Sequence, residues 1–140
     1  MDENNTVLNA MANPAKRFGR IILPVISIAI LPLIFLYVFG FSIKTTPEYE
    51  CALDTIEKSR QVIAVTGYPL EPGAFAWTRF FESSGMTRQG VFSTSISGPQ
   101  GSGRMDVNFY RSPVGESLSI WFTSKGHETQ VFDGAYPCPE

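Results

Sequence analysis

A chain of 140 residues, 44% hydrophobic, with net charge −2 and mean hydropathy +0.02, reads on average as one small soluble domain. Its Lys and Arg residues are scattered singly, which excludes the clustered positive footprint that nucleic-acid backbones require, and a single His leaves little material for metal or acid–base chemistry. The average hides two unlike parts, because the 23 residues from Ile21 to Ile43 contain no charged side chain.

A hydrocarbon core of roughly 30 Å takes about 20 apolar residues at helical rise, so this block predicts a transmembrane helix over residues 19–43. It is longer than the apolar stretch of a secretory signal, and the acids Asp2 and Glu3 argue against an organelle presequence. An uncleaved, single-pass anchor is therefore expected. Residues 1–18, Asn-rich and without apolar periodicity, read as a short cytoplasmic tail. Lys16, Arg17 and Arg20 precede the span and only Lys44 follows it closely, so the positive-inside bias places the N-terminus in the cytoplasm. Residues 44–140, with net charge −3, are then one domain outside the inner (plasma) membrane, a periplasmic domain in a bacterium.

After the span, Thr45-Thr46-Pro47-Glu48 has the cap, the first-turn Pro and the acid of a helix start. Tyr49, Ala52, Leu53, Ile56 and Ile63 follow helical spacing, Ser59 interrupts the run, and Gly67 with Pro69 ends it. From Gly73 the period becomes two. Residues 74–81 set Phe75, Trp77 and Phe81 against Ala76, Thr78 and Phe80; residues 91–97, 104–110 and 117–123 follow, and a short strand is expected at 129–132. The fold class is α+β: an amphipathic helix packed on a four- to five-stranded antiparallel sheet.

Cys51 and Cys138 flank this exported domain, and a disulfide between them is the economical reading in an oxidising compartment. Two unpaired thiols are the alternative; a copper or zinc site has only His127 to add, and no Cys-x-x-Cys.

Gly98-Pro99-Gln100-Gly101-Ser102-Gly103 superficially resembles a phosphate loop, yet it joins strand to strand and lacks the Lys and Ser/Thr of a Walker sequence. A hairpin is expected, with Gly supplying positive φ. His127 falls in a turn, and Glu71, Glu82, Asp106, Glu116 and Asp133 fall on turns or polar strand positions, so neither a triad nor a carboxylate pair is indicated. No catalytic residue, cofactor site or metal site is expected. Trp77, Phe80, Phe81 and Trp121 are many large rings for so small a domain. They mark the sheet face away from the helix as a candidate partner-binding surface, with ordinary cross-strand packing as the alternative.

An N-terminal span followed by Pro47-Glu48-Tyr49-Glu50-Cys51-Ala52-Leu53, then residues 62–70 ending in Gly67-Tyr68-Pro69, then the Gly98–Gly103 hairpin, resembles the cytochrome oxidase complex assembly protein family of the Coa1 type, related in fold to the Tim21 domain of mitochondrial import. The likeness covers Pro47 to Tyr110. It departs at the aromatic run 75–84 and at the two cysteines, which look particular to this chain. The resemblance implies a membrane-tethered, non-enzymatic accessory factor that binds other membrane or periplasmic proteins, such as respiratory oxidase subunits, during assembly of the complex. The alternative is a tethered small-ligand or envelope-sensing domain whose aromatic residues line a pocket.

Overall fold

The computed structural model describes residues 28–138. Residues 28–40 are helical, and Ile28, Leu31, Leu33 and Tyr37 among them are more than 60% exposed. Among the described residues no helix is long and apolar enough to cross a membrane, and residues 19–27 of the expected span lie outside them. The helical state stops at Gly40, the chain bends at Phe41, and a 3₁₀ turn follows at Ser42–Thr45. Ile43, which the sequence reading places last in the span, is instead packed in the domain core at 2% exposure. Contacts divide the chain after Leu36, and the compact unit begins at Tyr37.

Two short helices come next, α1 (Pro47–Glu57) and α2 (Arg60–Thr66). The Thr46 hydroxyl accepts from the Tyr49 N–H at 3.4 Å, Pro47 occupies the first turn, and Glu48 and Glu50 sit at its positive end. Ser59 caps α2 by accepting from Val62 N–H at 3.5 Å, which is why a single amphipathic run becomes two helices. At the far end Gly67 takes φ +76° and its N–H returns to Ile63 O at 2.8 Å.

Five strands then form one antiparallel meander in chain order: β1 (Glu71–Ser84), β2 (Thr87–Gly98), β3 (Gly101–Ser112), β4 (Gly115–Ser124) and β5 (His127–Gly134). The expected α+β class and the upper strand count are therefore observed. One row of the inner face runs Thr78, Phe92, Val107, Ile120, Phe132 across all five strands. Phe92, Ile96, Met105, Val107, Phe109, Leu118, Ile120 and Phe122 pack there with Tyr49, Ala52, Ile56 and Val62 of the helices. Each large apolar side chain so buried contributes roughly 1.5–3 kcal/mol, which is what holds the helices to the sheet.

The Gly98–Gly103 segment is a tight hairpin, with Gly98 paired to Gly101. Its glycines serve a different purpose from the one expected. The glycines with positive φ among the described residues are Gly67, Gly85 and Gly126, none of them in the hairpin. A Cβ on Gly98 would stand 2.4 Å from Thr66 O, and one on Gly101 2.8 Å from Val65 O. Gln100 N–H donates to Thr66 O at 2.8 Å, so the hairpin is seated on the carbonyl end of α2. Close backbone approach, rather than turn dihedrals, selects Gly at both positions.

The start of the free edge of β1 is covered from the 3₁₀ turn, where Lys44 Nζ donates to Gly73 O at 2.8 Å and Ala74 O at 3.3 Å.

Candidate functional site

Chain register decides which of the four aromatic side chains share a surface. β1 departs from regular pairing twice, between Pro72 and Ala76 and between Thr78 and Phe80. The second irregularity inserts a residue, so Phe80 opposes Val91 on the outer face and Phe81 opposes Gly90 on the helix-bearing face. This reverses the alternation expected for these two residues. Phe81 accordingly packs its ring 6.2 Å from that of Phe109, with the Arg88 guanidinium 5.9 Å from the Phe81 centroid. Phe81 thus lies apart from the surface that carries Trp77, Phe80 and Trp121.

On that outer face Trp77, Ser93, Asp106 and Trp121 form one cross-strand row. Three strand spacings put the tryptophan backbones about 14 Å apart. Phe75 stacks on Trp77 with centroids 5.7 Å apart and 23° between planes, and Phe41 meets Phe75 edge-on at 5.1 Å. Phe75 and Trp77 remain 38% and 45% exposed. Beside them is a groove of about 300 Å³, walled by Phe75 and Trp77, floored by Ser93 and Ser95 and bordered by Arg104. Asp106 organises its charged rim: Oδ2 accepts from Arg104 Nε at 2.7 Å and Oδ1 faces Arg79 Nη2 at 3.5 Å. Two guanidinium groups against one carboxylate leave the rim net positive. Rigid rings, small hydroxyls and arginine are the mixture that protein-binding surfaces favour.

A second cluster, not legible as a unit in the sequence, lies on the helix-bearing side. Glu48 is completely buried in the first turn of α1, and its carboxylate meets Arg88 Nη2 at 3.0 Å and Arg111 Nη1 at 3.4 Å. Arg111 also pairs with Glu116 at 3.0 Å and lies 4.5 Å over the Tyr136 ring. Burial opposes the Arg111 charge, but Glu116 and Glu48 outweigh it and raise its pKa further. Burial likewise raises the Tyr136 phenol, with Arg111 acting in the opposite sense. The Tyr136 hydroxyl donates to Pro47 O at 3.2 Å, and Cys138 two residues later is bonded to Cys51 of α1. The disulfide expected between Cys51 and Cys138 is present, with Cα atoms 5.8 Å apart. Every partner in this cluster is a neighbour in the packing, and the arrangement locks the C-terminal segment to α1.

The remaining polar candidates are dispersed. His127 is exposed at the start of β5, Glu82 accepts from Gln89 Nε2 at 2.8 Å, and Asp133 accepts from the Ser119 hydroxyl at 2.6 Å. Among the described residues no three His, Cys, Asp or Glu side chains are grouped to hold a metal ion. Against known proteins the chain stands alone: no family model, no curated protein and no solved structure matches it.

Proposed function

We propose that this chain is a membrane-anchored, non-enzymatic accessory factor whose exported domain binds other membrane or periplasmic proteins through the outer sheet face, during assembly of a respiratory oxidase complex. The observation that carries the binding role is the stacked Phe75–Trp77 pair, left exposed beside a serine-floored groove on the face opposite the helices. Aromatic rings fixed by stacking lose little side-chain entropy on binding, and the positive rim of Arg79 and Arg104 suits a partner that presents an acidic side chain beside an apolar one. The uncharged block Ile21–Ile43 supports the anchor, and the ordered motifs between Pro47 and Tyr110 support the assembly role. The Cys51–Cys138 disulfide agrees with an oxidising compartment outside the cytoplasm.

Affinity purification of the full chain from membranes in mild detergent, with identification of the co-purifying subunits, tests this reading. Recovery of oxidase subunits, together with reduced oxidase haem absorbance in a strain lacking the chain, is the expected result. Recovery of no membrane-complex subunit with normal haem spectra would overturn it.

A further inference from the structure

We propose that a groove beside the edge strand β1 holds one acyl chain of an anionic phospholipid from the surrounding membrane, an inference that rests on the anchored reading above. The groove lies wholly within the compact unit, encloses about 470 Å³, and is walled by Val38, Phe39, Ile43, Phe80 and Phe81. That volume and apolar lining are those of a small-ligand site. Three of its hydroxyls distinguish a use from a mere surface depression. Ser42 donates to Val38 O and Thr46 to Ile43 O, so both are spent on the local backbone. Thr78 Oγ1 is buried and has no hydrogen-bond partner among the described residues. A buried donor left unpaired is costly, and an ester carbonyl entering the groove would accept from it.

Charge identifies the remainder of the occupant. Arg79 stands at the groove with its side chain 61% exposed, held only by the 3.5 Å contact to Asp106, and is able to take a phosphate in bidentate fashion. A cation, a lone donor and an apolar wall match the phosphate, ester carbonyl and acyl chain of one lipid. Val38 and Phe39 close the helical run 28–40, whose large apolar side chains are exposed, so the groove continues the surface that the anchor offers to lipid.

The test reconstitutes the full chain in vesicles containing phosphatidylglycerol with a photoactivatable acyl chain, with phosphatidylcholine carrying the same chain in a parallel arm. After irradiation the labelled peptides are mapped by mass spectrometry. Label on residues 78–81 is expected, about five-fold higher from phosphatidylglycerol. Val38→Trp, which fills the groove, should lower that label by about five-fold while label on residues 21–36 persists. Thr78→Val, which keeps the shape and removes the donor, should lower it by about two-fold, and Arg79→Gln should bring the two lipids level. Label confined to residues 21–43, label on 78–81 unaltered by both Val38→Trp and Thr78→Val, or equal label from the two lipids on the unmodified chain would overturn the proposal. Carbonate extraction of the same vesicles reports the anchor separately: release of the chain refutes the anchored reading and the lipid proposal with it, whereas a retained chain without label on 78–81 refutes the lipid proposal alone.

Discussion

Arg111 Nη1 lies 3.4 Å from Oε1 of Glu48, a carboxylate with no solvent exposure that stands 63 positions earlier in the chain. Through this contact and the 3.0 Å contact to Arg88, one side chain in the first turn of α1 is tied to both β2 and β3. Removing one member of a buried ion pair strands the others, at a cost of about 3–5 kcal/mol. Arg88 keeps a third of its side chain in water, so Glu48→Ala is expected near the low end, about 3 kcal/mol by urea unfolding. Asp54→Ala is the comparison. Its pair with Lys58 is exposed on both sides, and its loss should change stability by less than about 0.5 kcal/mol.

The disulfide acts at the same end of the fold. Cys51 and Cys138 close a loop with a sequence separation of 87, and the chain-entropy relation gives roughly 4–5 kcal/mol for so long a loop. Replacing both cysteines with Ser should lower stability by up to that amount, read as a shift of the urea midpoint at constant slope. Non-reducing peptide mapping of the unmodified chain should recover the 51–138 pair.

Two tyrosines govern the alkaline limit. Burial raises the Tyr49 phenol above its ordinary value near 10, with Thr94 beside it acting in the lowering sense, and burial raises Tyr136 despite Arg111. In each case the folded chain keeps a proton that the unfolded chain has given up, so stability is intact below pH about 10 and falls as pH climbs through the raised values. Thermal midpoints measured from pH 8 upward should show this decline. Tyr136→Phe combined with Tyr49→Phe should flatten it, and an unchanged slope would contradict the assignment.

The hairpin glycines give a sharp contrast. Gly98→Ala places a methyl 2.4 Å from Thr66 O, where only backbone movement of α2 relieves the clash, and a loss of about 1–3 kcal/mol is expected. Gly115 has nothing within 4 Å of the corresponding position and no positive φ, so Gly115→Ala should stay within about 0.5 kcal/mol. Equal effects at the two sites would remove the close-approach explanation.

Local chemistry made much of this fold legible in the sequence. The Thr46 cap, Pro47 and Ser59 set the helix ends because capping is decided within a few residues. Strands β3 and β4 alternate cleanly because one face packs on the helices and the other meets water. β1 did not yield to the same reading. It is an edge strand in which Ala76 alone is fully buried, and its irregularities exchange the faces of Phe80 and Phe81, which no fixed period of two can anticipate. The Glu48 cluster was hidden for another reason: Arg88 and Arg111 look like isolated surface charges until β2 and β3 pair, and only then do they meet at one carboxylate. Likewise Ile43 reads as the end of an apolar block, yet the bend at Phe41 turns it into the core.

The proposed role is tested most directly by co-purification of membrane subunits with the Phe75→Ser/Trp77→Ser double variant beside the unmodified chain, both from detergent-solubilised membranes. The two side chains are exposed and stack chiefly on each other, so the variant should fold with its Cys51–Cys138 disulfide intact and lose about 1–2 kcal/mol at most. Truncating a stacked aromatic anchor removes 2 kcal/mol or more of binding in roughly additive cases, so recovery of partner subunits should fall by about ten-fold or more. Undiminished recovery with the folded double variant would contradict the assignment of the outer sheet face as the binding surface.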